Sequence, residues 1–301
     1  KQFEEETGIK VNYSMFETNE GMYSKLRTES YDVVIPSDYM IARMIKEDML
    51  QKINYDNIPN AANIGDAYKN LAYDPTNEYT VPYTWGTVGV IYNKEKVDEA
   101  DIGSWDLLWN EKYKGQTIMF DNSRDALGLM LRYLGYSQNT TDEAQLREAA
   151  QKIIDTKDIY QCFAMDQILE KMPSGEAWVA PYYAGDAVTM MAENDQLGYY
   201  VPKEGTNMFV DAMCIPKNAQ NVSNAEKFID FMCRTDIAKK NIEYIGYSTP
   251  LATVYEELDD EIKNNPIAYP GEDVLKNTET FINLPDETNR LYNDLWTEIL
   301  K

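Results

Sequence analysis

Tyr31-Asp32-Val33-Val34-Ile35-Pro36-Ser37 reads as a strand that stops at a proline, and its unbroken apolar centre suits a strand buried on both faces. Directly after it, Tyr39, Ile41, Met44 and Ile45 recur at helical spacing over residues 38–49. Upstream, Ile9-Lys10-Val11-Asn12-Tyr13 alternates with period two, and residues 20–29 place Met22, Tyr23 and Leu26 on one helical side. Strand, helix, strand, helix in this order predicts an α/β fold with a mainly parallel sheet. A second series follows. Residues 88–92 and 116–120 read as strands. A helix after Asp121 carries Leu127, Leu131 and Leu134 and ends at Gly135. Thr140 with Glu143 reads as a capping box for a helix over 141–154, and Ser223 with Glu226 for one over 224–233. Residues 177–180 and 199–202 read as short strands, and the last 14 residues or so as a helix through Leu291, Leu295 and Trp296. No Gly/Ser-rich tether separates the two series, so ordered segments, strands by preference, join them.

The chain has 301 residues, enough for two lobes. Its 28 Lys plus Arg against 51 Asp plus Glu give a net charge of −23. That excess argues against nucleic acid and against anionic membranes, whose phosphates are met by Lys and Arg. It favours a cationic ligand or serves solubility. Histidine is absent, which removes Ser-His-Asp and Cys-His catalysis and every His-ligated metal site. No P-loop, nucleophile elbow, G-x-G-x-x-G or calcium loop is present. No enzyme, cofactor or metal is expected. Cys162, Cys214 and Cys233 are too few and too far apart for a disulfide framework or a zinc pattern, and read as small buried hydrophobes with one bridge left open. No apolar run reaches the length of a membrane-spanning helix.

Several segments in order resemble one family. They are Thr7-Gly8-Ile9-Lys10-Val11, Asn19-Glu20-Gly21-Met22-Tyr23, Tyr31 through Tyr39, and Val81-Pro82-Tyr83-Thr84-Trp85-Gly86-Thr87-Val88-Gly89. Ser104-Trp105-Asp106-Leu107-Leu108-Trp109, Tyr113-Lys114-Gly115, Ile215-Pro216-Lys217-Asn218-Ala219 and Ile245-Gly246-Tyr247-Ser248-Thr249-Pro250 complete the set. Together they resemble the spermidine/putrescine-binding proteins of bacterial polyamine ABC importers. The resemblance implies a type II periplasmic-binding-protein fold, two α/β lobes with a ligand cleft at the hinge. It implies residues 1–88 plus 213–270 as the N-lobe and 89–212 plus 271–301 as the C-lobe, with crossings near 88–92, 212–215 and 271. It further implies a monomer outside the cytoplasm that hands a polyamine to a membrane permease. A lipid or fused anchor is left open. A binding protein of the same fold for another cationic solute, and a sensory protein that presents its ligand to a receptor, are the alternatives. The family's first strand and its site-bearing loop precede the segment matching Phe3, where this chain starts, and weakened binding is expected of a chain without them.

A polyamine needs carboxylates at its ammonium spacing, aromatic faces for its methylenes, and neutral acceptors. The resemblance carries amine-binding roles to Asp211, Asp125 and Asn122, the last an amide where the family has an acid. That departure leans the expectation toward putrescine. Asp121 opens the same helix, where a capping role competes with ligand binding. Ser37 and Tyr39 match hydroxyl and aromatic contacts at a strand's carboxyl end. Phe209 and Tyr247 match aromatic walls. Tyr183 matches another, with Tyr182 the rival if the register slips by one. Trp85 is read as packing near the hinge or as a ligand contact, and Asn283 as a polar contact.

Overall fold

A computed structural model describes residues 1–301. Seven strands form: β1 Thr80–Asn93, β2 Thr117–Phe120, β3 Tyr160–Ala164, β4 Val179–Tyr183, β5 Leu197–Tyr200, β6 Thr206–Cys214 and β7 Thr278–Glu279. The first seven helices are α1 Gln2–Thr7, α2 Asn19–Leu26, α3 Asp38–Lys46, α4 Ser123–Tyr133, α5 Glu143–Asp155, α6 Ile168–Lys171 and α7 Ala184–Glu193. Six more follow: α8 Val222–Met232, α9 Thr235–Ile245, α10 Ala252–Glu257, α11 Asp260–Lys263, α12 Glu272–Leu275 and α13 Asp286–Leu300. The chain divides into two compact units. Unit 1 is Lys1–Trp85 with Phe209–Lys263, and unit 2 is Gly86–Met208 with Asn264–Lys301. Two of the cuts fall inside β1 and β6, so each of these strands contributes to both units. The sequence reading set its lobe boundaries at 88/89, 212/213 and 270/271.

In unit 2, β2 runs parallel to β3 and to β4, while β1 runs antiparallel to β4 on one side and to β5 on the other. The sheet is therefore mixed rather than mainly parallel. β5 lies close on β1 because Gly89 has no side chain: a Cβ there would stand 2.4 Å from the Tyr200 carbonyl oxygen and 2.5 Å from the Tyr199 ring. Ile118, Met119 and Phe120 are fully buried, as are Leu127, Leu131, Leu146 and Ile153 on α4 and α5. Leu295 and Ile299 bring α13 onto the same core. Apolar residues at helical spacing dictate that packing.

Unit 1 is organised differently. It holds the first part of β1 and the last part of β6, and its pairings outside the named strands are isolated bridges: Val34 to Cys214, Ser37 to Asp211, Leu50 to Pro216, Ile64 to Leu251 and Trp85 to Ser248. The expected strand over 31–35 thus reduces to one bridge at Val34, and Ile9–Tyr13 forms no strand. Alternation marks which side of a segment can be buried, whereas a ladder needs a paired neighbour. Ile9 and Val11 instead pack on a small cluster of Phe3, Phe231 and Ile237.

Two caps differ from the sequence reading. Asp142, not Thr140, caps α5: its carboxylate accepts the N–H groups of Ala144 and Gln145, and Thr140 Oγ1 donates to Gln145 Oε1. A carboxylate at the helix end outcompetes a hydroxyl two residues earlier because it adds charge to the dipole interaction. At α8 the N-cap is Asn221 rather than Ser223. Glu226 is drawn instead to the Asn54 backbone N–H and the Asn57 amide, at 3.1 and 2.6 Å. All three cysteines are free thiols; Cys214 and Cys233 are buried and Cys162 is half-buried.

Candidate functional site

In unit 1 the candidates gather around Asp211. β6 delivers this residue beside the N-terminus of α3, and the Ser37–Asp211 bridge fixes the register. Asp38, 1% exposed, locks the same junction: one carboxylate oxygen accepts the Tyr39 N–H at 2.7 Å and the other the Val210 N–H at 3.1 Å. Ser37 holds the extended N-cap position of α3, yet its hydroxyl does not cap the helix. It donates to Asp211 Oδ1 at 2.7 Å. Thr84 on β1 donates to Asp211 Oδ2 at 3.3 Å. Burial pushes the Asp211 carboxyl up to about 6, and the two hydroxyl donors pull against that rise. No lysine or arginine contributes to the balance.

Several aromatic side chains belong to the same unit. Phe209, two residues before Asp211 on β6 and so on the same strand face, meets Tyr247 edge to face with ring centroids 6.2 Å apart. Tyr39 is buried and its hydroxyl donates to Glu20 Oε1 at 2.9 Å. Trp85 is buried too, its indole N–H donating to the Thr249 carbonyl at 3.2 Å and its ring tilted against Tyr68. These contacts tie Trp85 into the packing of unit 1.

In unit 2 the candidates gather at the start of α4. Asn122 is its N-cap, with Oδ1 accepting the N–H groups of Arg124 at 2.9 Å and Asp125 at 3.3 Å. Asp125, buried in the first turn, accepts from the Tyr183 hydroxyl at 2.9 Å. Tyr183 ends β4, and its ring lies 5.4 Å from that of Phe120. Tyr182 is buried in the core, its ring 6.0 Å from that of Phe120 and 5.3 Å from that of Tyr183. Asp121 is exposed, so it does not share the enclosure of Asp125. Asn283 is half-buried in the segment before α13; its neighbour Ile282 accepts from Arg124 at 3.2 Å. The Arg124 guanidinium stacks over Phe281 at 4.6 Å and near Tyr292 at 5.3 Å.

Three polar participants in unit 1 escaped the sequence reading: Thr84, Asn19 and Glu20. All lie in segments that carried the family resemblance, so membership of a matching motif was the available signal.

Asp211 and Asp125 are thus both carboxylates that accept hydroxyl hydrogens. Residues 1–270 match the model of the bacterial extracellular solute-binding protein family. The chain belongs to that family. This solute-binding protein is 36% identical over 282 residues to the spermidine/putrescine-binding periplasmic protein of Escherichia coli K12, covering 93% of this chain and 81% of the relative. It is 32% identical over 319 residues to the putrescine-binding periplasmic protein SpuD of Pseudomonas aeruginosa, covering 99% and 87%. Among solved structures it is similar to the spermidine/putrescine ABC transporter substrate-binding protein PotD of Streptococcus pneumoniae, with a TM-score of 0.83, 38% identity and coverage of 99% and 93%. The α/β fold expected from the sequence is thus that of periplasmic solute-binding proteins. No helix of this solute-binding protein is long and apolar enough to cross a membrane.

Proposed function

We propose that this protein captures a polyamine, putrescine or spermidine, outside the cytoplasm and delivers it unchanged to an ABC permease. The observation that carries the reading is Asp211: a carboxylate set among hydroxyl donors, with no basic side chain paired to it. Leaving such a charge without a counter-ion is costly, and an alkylammonium supplies one. Phe209 and Tyr247 offer faces to methylenes and to the cation, each contact worth about 0.5–2 kcal/mol. In unit 2, Asp125 with the Tyr183 hydroxyl forms another carboxylate of the same kind. The charge of −23 speeds capture of cations and makes the on-rate fall with salt. The relatives' names support the polyamine class.

A thermal-shift series with putrescine, cadaverine, spermidine and spermine, with lysine and arginine as controls, tests the reading. A ligand at 100 times its Kd adds about 2.7 kcal/mol of stability. A selective rise with a polyamine, recovered chemically unchanged, is expected. A rise with lysine or arginine alone, or conversion of the bound amine, overturns the proposal.

A further inference from the structure

Asn19, the first residue of α2, grips Ser37 at two points. Its Oδ1 accepts the Ser37 backbone N–H at 2.9 Å, and its Nδ2 donates to Ser37 Oγ at 3.1 Å. An amide is the side chain that can do both, because it carries an acceptor and a donor. The consequence falls on the Ser37 hydroxyl, which has one hydrogen. With a lone pair already taken by the Asn19 amide, that hydrogen is directed to Asp211 Oδ1, 2.7 Å away. A polar chain therefore runs from α2 through the N-cap of α3 to the carboxylate on β6. We infer that Asn19 is a positioning residue, which sets the direction of the Ser37 hydroxyl and so holds Asp211 as an ionised acceptor for the ligand's ammonium group. Only the identity of that ligand rests on the polyamine reading.

The other titratable groups around this chain are Tyr83 on β1, whose phenol is raised in part by the charge of Asp211, and Asp38 and Tyr39 on α3. Glu20 on α2, Tyr247 beyond α9, Tyr13, which acts on Tyr83, and Tyr73, which feels the charge of Asp38, lie in the same unit. None of them is basic, so the ionised form of Asp211 depends on its hydroxyl donors. Without the Asn19 amide, Ser37 Oγ is free to turn its hydrogen elsewhere, and burial then acts on Asp211 with less opposition.

The test is a titration of the Asp211 carboxyl carbon by NMR in the ligand-free protein, in a double-mutant cycle of Asn19→Ala and Ser37→Ala. Asn19→Ala is expected to raise the Asp211 midpoint by about half to one pH unit, and to add nothing further in the Ser37→Ala background. Asn19→Asp retains the bond to the Ser37 backbone N–H and loses the donor. It is expected to shift the midpoint the same way, and it serves as the second variant if Asn19→Ala does not fold. Calorimetry with putrescine at pH 7 is expected to show a loss of about three- to tenfold for Asn19→Ala. An unmoved midpoint, or the same shift with Ser37 already removed, overturns the positioning role. A wild-type protein that takes up no polyamine fails the functional reading instead, and the titration still decides the role of Asn19.

Discussion

Asp211 in unit 1 and Asp125 in unit 2 are both enclosed carboxylates that accept a hydroxyl hydrogen, but they sit on different scaffolds. Asp211 lies on a strand and depends on Ser37 and Thr84, side chains brought from 174 and 127 residues away in sequence. Asp125 lies in the first turn of α4, where the helix end favours negative charge, and it accepts from Tyr183, 58 residues away. On the strand, burial wins, and the carboxyl is pushed up to about 6.

The largest expected effect comes from removing the strand carboxylate. Asp211→Ala should cost about 2–4 kcal/mol of polyamine binding, roughly 30- to 1000-fold in Kd by calorimetry. Near-normal binding by that variant breaks the site assignment. The second effect is on stability and has a defined sign. Folded Asp211 takes up its proton at about 6, against a reference value of 3.8. Between those values the folded state holds more protons than the unfolded chain, so acidification favours it, and above about 6 the enclosed charge is a standing cost. Ligand-free Asp211→Asn should therefore be more stable than wild type at pH 8, by roughly 1–2 kcal/mol after allowing for partial exposure. Melting curves from pH 8 to pH 4 should show that advantage disappear; a constant offset would mean burial is not its source.

Tyr183→Phe sharpens the other half of the comparison. It deletes one hydrogen bond onto Asp125 and should weaken binding by about 1 kcal/mol, roughly fivefold. Little change there, beside a large loss at Asp211, would show that the helix end alone sustains Asp125. The smallest effect is expected from Asn122→Asp. Aspartate caps a helix as well as asparagine does, so α4 should be undisturbed while a further carboxylate stands beside Asp125. The ratio of spermidine to putrescine affinity should rise by about two- to fivefold, and an unchanged ratio removes Asn122 as a determinant of preference.

What could be read in advance divides along physical lines. The apolar runs of β1, β2 and β4 and the periodic leucines of α4 announced themselves, because burial is written into the local pattern. Ile9–Tyr13 had the right alternation but no paired neighbour. Thr140 and Ser223 were chemically sound caps that lost to Asp142 and Asn221, each two residues away. For the candidate site, residue type and family resemblance singled out Asp211, Ser37 and Asp125. Of Tyr182 and Tyr183, it is Tyr183 whose hydroxyl donates to Asp125, a pairing that a register uncertain by one residue cannot supply. For Thr84 and Asn19 a place in a matching motif was the one signal, because their role exists only through partners remote in the chain.

That remoteness also bears on how the molecule is made. Ser37 meets its partner on β6 only after 174 further residues have been synthesised, roughly 9–35 s at ordinary ribosomal rates of about 5–20 residues per second. During that interval the first 85 residues have no complement from 209–263 and cannot close unit 1. A nascent chain with this arrangement stays threadable until late, which is the state in which a polypeptide can be passed through a narrow translocation channel.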